Sequence, residues 1–299
     1  MVTTIYNELG EDMTILFALV PMFAWGSIAL VSGKLGGDAN QQTLGMTMGA
    51  FVFALVTFLI VRPAFELEIL LVGFLSGVFW SVGQNKQFHG MKSLGVSVGL
   101  PLSTGFQLIL NTIAGAVFFH EWTKSRDFIL GFIALVLLVF GAYLTARQDT
   151  EEGVKTDHMV LDFGKGLRAL LLSAIGYGAY TIIITWAGLD PLAIIFPQSV
   201  GMLLGASLFA FKQTSFDKYV WRNMLSGLLW GLGNVCMLLT VQSVGLAIGF
   251  SLSQMGIIIS TLGGIFLLGE YKTKKEMVYV VIGCLLIITG GLVLGYMKA

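Results

Sequence analysis

Charge is the scarcest ingredient of this 299-residue sequence: Asp, Glu, Lys and Arg make up 11% of it, against about 25% in ordinary soluble domains. A soluble fold of this length needs a polar shell, which so few charges cannot supply. The charges also cancel, 17 basic against 17 acidic, so nucleic acid is not an expected partner. Only two cysteines occur, Cys236 and Cys284, both inside apolar runs. There they act as small packing residues, and neither a disulfide framework nor a metal site is expected. The three histidines, His89, His120 and His158, fall at the ends of apolar runs or in the one long polar stretch. A serine nucleophile with histidine and acid therefore cannot be assembled at depth. No GxxxxGK[ST] loop and no HExxH pair occurs, which removes an ATP motor and a zinc hydrolase. No catalytic residue, metal or cofactor is expected. Finally, Met1 to Asp12 lacks Lys and Arg; a cleaved signal peptide has a basic start, so the first helix is expected to be retained.

What is abundant is apolar sequence, 56% of the chain, together with 38 glycines. Apolar runs of about twenty residues match the thickness of a bilayer core crossed as helix. Inside lipid the backbone must satisfy itself, so each run is expected to be a spanning helix, and the glycines let such helices approach closely. The expected spans are Thr14–Ser32, Thr43–Val61, Ile69–Gln87, Leu94–Phe119, Phe128–Ala146, Gly166–Trp186, Pro191–Phe211, Arg222–Val241, Val244–Gly269 and Met277–Met297. The predicted fold is an all-α polytopic membrane protein of ten transmembrane helices. With the N-terminus outside, thirteen of the seventeen Lys and Arg fall on the inner side. Both termini are therefore expected outside and the lipid bilayer is the surrounding solvent.

The two halves repeat. Leu75–Ser103 slides onto Leu225–Ser253 at an offset of 150 with ten identities in 29 positions, among them Gly77, Trp80, Gly83, Gly95, Gly99 and Ser103. At an offset of 152, Gly26, Gly36, Asp38 and Gly49 meet Gly178, Gly188, Asp190 and Gly201; at 149, Gly115 and Glu121 meet Gly264 and Glu270. The expected division is residues 1–146 as the first five-helix repeat, 147–165 as a cytoplasmic hinge and 166–299 as the second repeat. Five spans is an odd number, so the second half enters from the opposite face and the expected architecture is a 5+5 inverted repeat. That arrangement typifies secondary transporters working by alternating access. Duplication in a polytopic membrane enzyme or a receptor is the alternative.

Charged side chains are missing from mid-span positions, so a neutral, hydroxyl-rich solute is the expected cargo. In SGVFWSVGQN, Trp80 and Gln84 share a helix face, with Asn85 beside them. Trp230 and Asn234 repeat that spacing in GLLWGLGN. An aromatic ring beside an amide suits a sugar, whose C–H face lies on the ring while its hydroxyls meet donor and acceptor together. Ser103, Gln107 and Asn111 form a stripe at i, i+4 and i+8. Its counterpart is GFSLSQ, with Ser253 and Gln254. Trp25 in AWGS, Tyr180 in GYGAY (with Tyr177 one turn before it) and Gln198 after Pro197 complete the candidate substrate-binding set. Packing between helices is the competing role for each.

In this order over ten spans, several motifs resemble the bacterial glucose/ribose uptake family of the drug/metabolite transporter superfamily. They are AWGS, GGDANQ, SGVFWSVGQN, GVSVGLPLSTGFQL, HEW, PQSVGM, GLLWGLGN, GFSLSQ and STLGGIFLLGE. The resemblance implies monosaccharide uptake across the cytoplasmic membrane, glucose ahead of ribose, with proton symport. Export or exchange of another small neutral metabolite is the rival within transport. The sequence departs from symport chemistry in having no mid-membrane carboxylate. The candidates for proton coupling are accordingly Glu121 and Glu270, at the ends of the fourth and ninth spans, and His89. Solvation at a helix end is the other reading of both acids.

Overall fold

In the computed structural model, which describes residues 11–63, 66–147, 162–211 and 216–298, every regular element is helical. Ten helices follow one another. They are α1 (Glu11–Leu35), α2 (Ala39–Val61), α3 (Leu67–Leu94), α4 (Val96–Phe118), α5 (Ser125–Ala146), α6 (Phe163–Ala187), α7 (Pro191–Ala210), α8 (Lys218–Val244), α9 (Leu246–Leu267) and α10 (Lys274–Lys298). Among the described residues nine of them are long and apolar enough to cross a membrane, and α1 contributes the apolar stretch Leu19–Leu35. The chain is a multi-pass membrane protein. Most of the expected hinge, with Lys155 and His158, lies outside the described residues, as do the first ten residues and Lys212.

The few carboxylates serve at helix ends, where exposed N–H groups and the helix dipole favour an acceptor. Asp38 caps α2 in a reciprocal box with Gln41, Asp190 caps α7 ahead of Pro191, and Asp217 caps α8.

Several spans differ from expectation in ways that shape the interior. The third helix continues past Gln87 to Leu94, so His89 and Lys92 as well as Lys86 lie within it. A single residue, Gly95 at φ +81°, separates α3 from α4; Gly245 at φ +83° separates α8 from α9 in the same way. Both conformations favour a residue without Cβ. The helix α4 ends in a π turn over Ala114–Phe118. Its partner α9, expected as one uninterrupted span, is broken by a 3₁₀ turn at Gln254–Gly256.

The helices interleave instead of separating by sequence half. Helix α3 packs on α6 and α7, whereas α8 packs on α1 and α2; α5 pairs with α10, and α4 with α9. Glycine makes the exchange possible: a Cβ on Gly77 would overlap the Gln198 carbonyl oxygen, and one on Gly227 that of Met46. With lipid on the outside, apolar burial does not drive these contacts, and close backbone approach supplies the packing instead.

Candidate functional site

A central cavity of about 70 Å³ lies where α1, α3, α4, α6, α8 and α9 converge. Aromatic residues form one wall. Trp80 and Trp230 meet edge to face with ring centroids 4.9 Å apart, Tyr177 stands against Trp80 at 6.1 Å, and Trp25 lies over the backbone of Trp230, its Nε1 3.5 Å from the carbonyl oxygen. Edge-to-face contact fixes the ring planes.

The polar lining groups are joined into one network. The Tyr177 hydroxyl donates to Gln84 Oε1 at 2.6 Å and lies 3.3 Å from Gln87 Oε1. Gln87 Nε2 donates to Ser103 Oγ at 2.9 Å, and Gln107 Nε2 donates to the same oxygen at 3.0 Å. Ser103 thus anchors two amides from behind, leaving their remaining donors and acceptors for the cavity. Thr104, Ser253 and Gln254 add further hydrogen-bonding groups. None of the described lining side chains is charged.

Eight of the thirteen expected binding residues line this cavity: Trp25, Trp80, Gln84, Gln107, Tyr180, Trp230, Ser253 and Gln254. The other five lie behind it, engaged with other helices. Asn85 donates to Asn40 Oδ1 at 2.8 Å, tying α3 to α2. Ser103 holds Gln87 and Gln107. Asn111 accepts from the Thr181 hydroxyl of α6. Asn234 accepts from the Tyr180 hydroxyl at 2.5 Å and donates to Gln198 Oε1 at 3.0 Å, so Asn234 and Gln198 brace Tyr180. Gln87, Thr104 and Tyr177 belong to the lining but not to the expected set. Gln87 follows Gln84 at i+3 within the expected third span, a usable signal that the Trp80–Gln84 pairing did not include.

The acids at the ends of α4 and α9 occupy matched positions. Val96 N donates to Glu270 Oε1 at 2.7 Å and Ser97 N to Glu270 Oε2 at 2.8 Å. Leu246 N donates to Glu121 Oε1 at 2.7 Å and Ala247 N to Glu121 Oε2 at 2.9 Å. Each carboxylate closes off the first N–H groups of the other helix, so α4 and α9 are tied at both ends. A second cavity, of about 180 Å³, borders Glu270, Lys92, Gln42 and Ser32, and adjoins the central one at Ala29 and Met91. Glu121 and His89 line neither cavity. Lys92 Nζ donates to the Gly37 carbonyl at 2.7 Å. Beyond α9, burial pushes the Lys272 ammonium below its usual range, against the opposing pull of Glu276 and Glu270. Its Nζ has no hydrogen-bond partner among the described residues. Among the described residues no three of His, Cys, Asp and Glu come together as metal ligands.

The sequence profile described as "Sugar transport protein" matches residues 16–297. The chain belongs to the sugar transport protein family. It is 67% identical over 287 residues to a protein named for sugar uptake in Enterococcus faecalis (strain ATCC 700802 / V583), covering 96% of this chain and 100% of that one. Another such protein, from Lactococcus lactis subsp. lactis (strain IL1403), is 50% identical over 292 residues, covering 95% and 98%. A third, from Lactiplantibacillus plantarum, is 48% identical over 288 residues, covering 96% and 100%. A solved crystal structure at 14% identity shares the fold of this transporter, with a TM-score of 0.66 over 96% of this chain and 98% of that one. Membership places the protein among transporters, not enzymes, and the cavity within its helices is the candidate sugar site.

Proposed function

We propose that this family member takes up a monosaccharide, glucose ahead of ribose, by alternating access to the central cavity, driven by an inward proton gradient. The observation that carries the sugar is the lining: three tryptophans together with a joined set of amides and hydroxyls, with no charged side chain among the described lining residues. A cationic or anionic solute would find no countercharge among these residues, whereas a pyranose meets aromatic rings together with mixed donors and acceptors. The names of the relatives from Enterococcus, Lactococcus and Lactiplantibacillus refer to sugar uptake, in agreement with this cargo.

Alternating access is supported by the internal repeat, the matched Gly95 and Gly245 junctions and the reciprocal placement of Glu121 and Glu270. A 5+5 inverted repeat would account for all three. In that reading residues 1–146 and 166–299 are the two repeats, the hinge lies in the cytoplasm, and both termini face outward. The Lys92 and Glu270 end of the molecule is then cytoplasmic. The candidate acid for coupling is Glu270, which borders the second cavity.

The deciding experiment is uptake of labelled glucose and ribose into proteoliposomes with and without an imposed inward proton gradient. Accumulation above equilibrium only with the gradient is the expected result. Equilibration independent of the gradient would remove the symport step, and no uptake of either sugar would remove the substrate assignment.

A further inference from the structure

The two ends of the central cavity are closed to different degrees, and the difference falls on repeat-related residues. Toward Glu121 the cavity meets a buried apolar cluster in which Phe250, Leu246 and Ala114 pack with Val241 and Ile182. Phe250 is 2% exposed and is also part of the cavity lining, so it separates the sugar site from that face. Toward Glu270 the counterparts at the offset of 150 are Leu100, Val96 and Met91. Met91 there is buried in an apolar cluster against which Val96 and Leu100 pack, but all three also line cavities. Leu100 and Met91 line the central cavity, and Met91 and Val96 line the second one, which shares Ala29 and Met91 with it. Of the same three repeat positions, one therefore lines a cavity at the Glu121 face and all three do at the Glu270 face.

From this asymmetry we infer that Phe250 is the gate residue on the Glu121 side of the sugar site, and that Leu100 is its counterpart on the Glu270 side. The inference rests on the alternating-access reading. In the opposite state Leu100, Met91 and Val96 take up the packing now held by Phe250, Val241 and Leu246, while the latter three part. The gates differ in strength. A phenylalanine fills more space than a leucine, so closure at the Glu121 face is favoured and the observed arrangement is the resting one. Neither residue offers a polar group, which suits a seal that has to exclude water and not bind sugar.

The test uses a single cysteine in the cavity, Ser253→Cys, with Cys236→Ala and Cys284→Ala removing the native thiols. Sealed vesicles of both orientations are treated with a membrane-impermeant methanethiosulfonate, and the ratio of labelling rates from the two faces is read. Labelling should favour the Glu270 face. Phe250→Ala, by weakening one seal, should shift the ratio toward the Glu121 face by about tenfold or more, with labelling from the Glu270 face falling. Leu100→Phe should shift it the same way by strengthening the other seal, and serves independently if Phe250→Ala fails to fold. A ratio moved by neither variant overturns the gate. Faster labelling from the Glu121 face with no loss at the Glu270 face would keep Phe250 as a barrier and overturn alternating access instead.

Discussion

Replacing Glu270 by glutamine tests the tie between α4 and α9 most directly. The carboxylate uses both oxygens, one for Val96 N at 2.7 Å and one for Ser97 N at 2.8 Å. An amide offers one oxygen, so one N–H of the first helical turn loses its acceptor and faces an NH₂ group. A hydrogen bond to a charged group contributes about 1.5–3 kcal/mol. Loss of negative charge at a helix N-terminus removes a further ~0.3–1 kcal/mol. The expected destabilisation is thus about 2–4 kcal/mol, or roughly 4–12 °C in Tm at about 2–3 °C per kcal/mol for a chain of this size. Glu121→Gln, with bonds of 2.7 and 2.9 Å to Leu246 and Ala247, should behave alike. Intrinsic fluorescence of detergent-purified protein during heating provides the assay. The two ties lie at opposite ends of helices about 35 Å long, so independent losses would add in the double variant. A double variant no less stable than the weaker single would show that α4 and α9 respond as one unit. A Tm within 1 °C of the parent for both single variants, with glucose uptake unchanged, would refute the reasoning.

Gln84→Ala and Gln107→Ala each remove an amide from the polar lining and should reduce uptake efficiency about 5- to 100-fold, the equivalent of ~1–3 kcal/mol of sugar contact. Normal uptake by both would remove these residues from the site. Tyr177→Phe deletes the hydroxyl that orients Gln84 and should act mainly by raising KM for uptake; a change confined to the maximal rate would contradict a binding role. Gly77→Val places carbon where the Gln198 carbonyl oxygen sits, so the variant should yield little monodisperse protein on size exclusion, and normal recovery would disprove the close approach of α3 and α7. Lys272 is held below its usual pKa by burial, so the unfolded chain binds more protons there and stability rises with pH between the folded and unfolded values. Lys272→Met should therefore raise Tm at pH 7, with the gain fading as pH approaches about 10.4. A gain independent of pH would assign it to packing alone.

Local composition was enough to read the membrane class, the order of the described helices and most of the aromatic part of the candidate site. Those properties follow from local composition, because a run of about twenty apolar residues has few fates other than spanning a bilayer. Trp80 and Trp230 were legible since their motif occurs twice at the same spacing. Only the tertiary structure decided which polar residues face the cavity. Ser103, Gln107 and Asn111 share a stripe in sequence, yet eight residues of helix rotate that stripe by about 80°, so Gln107 reaches the lining while Ser103 and Asn111 turn to neighbouring helices. Asn234 repeats Gln84 in sequence, but the first braces Tyr180 and the second lines the cavity, because α8 and α3 sit in different helix groups. The role of Glu270 was out of reach for a similar reason: its partners, Val96 and Ser97, are more than 170 residues away. A hydrogen bond between segments so far apart is set by how helices pack, and that packing rests on backbone contacts at glycine, which no periodicity encodes.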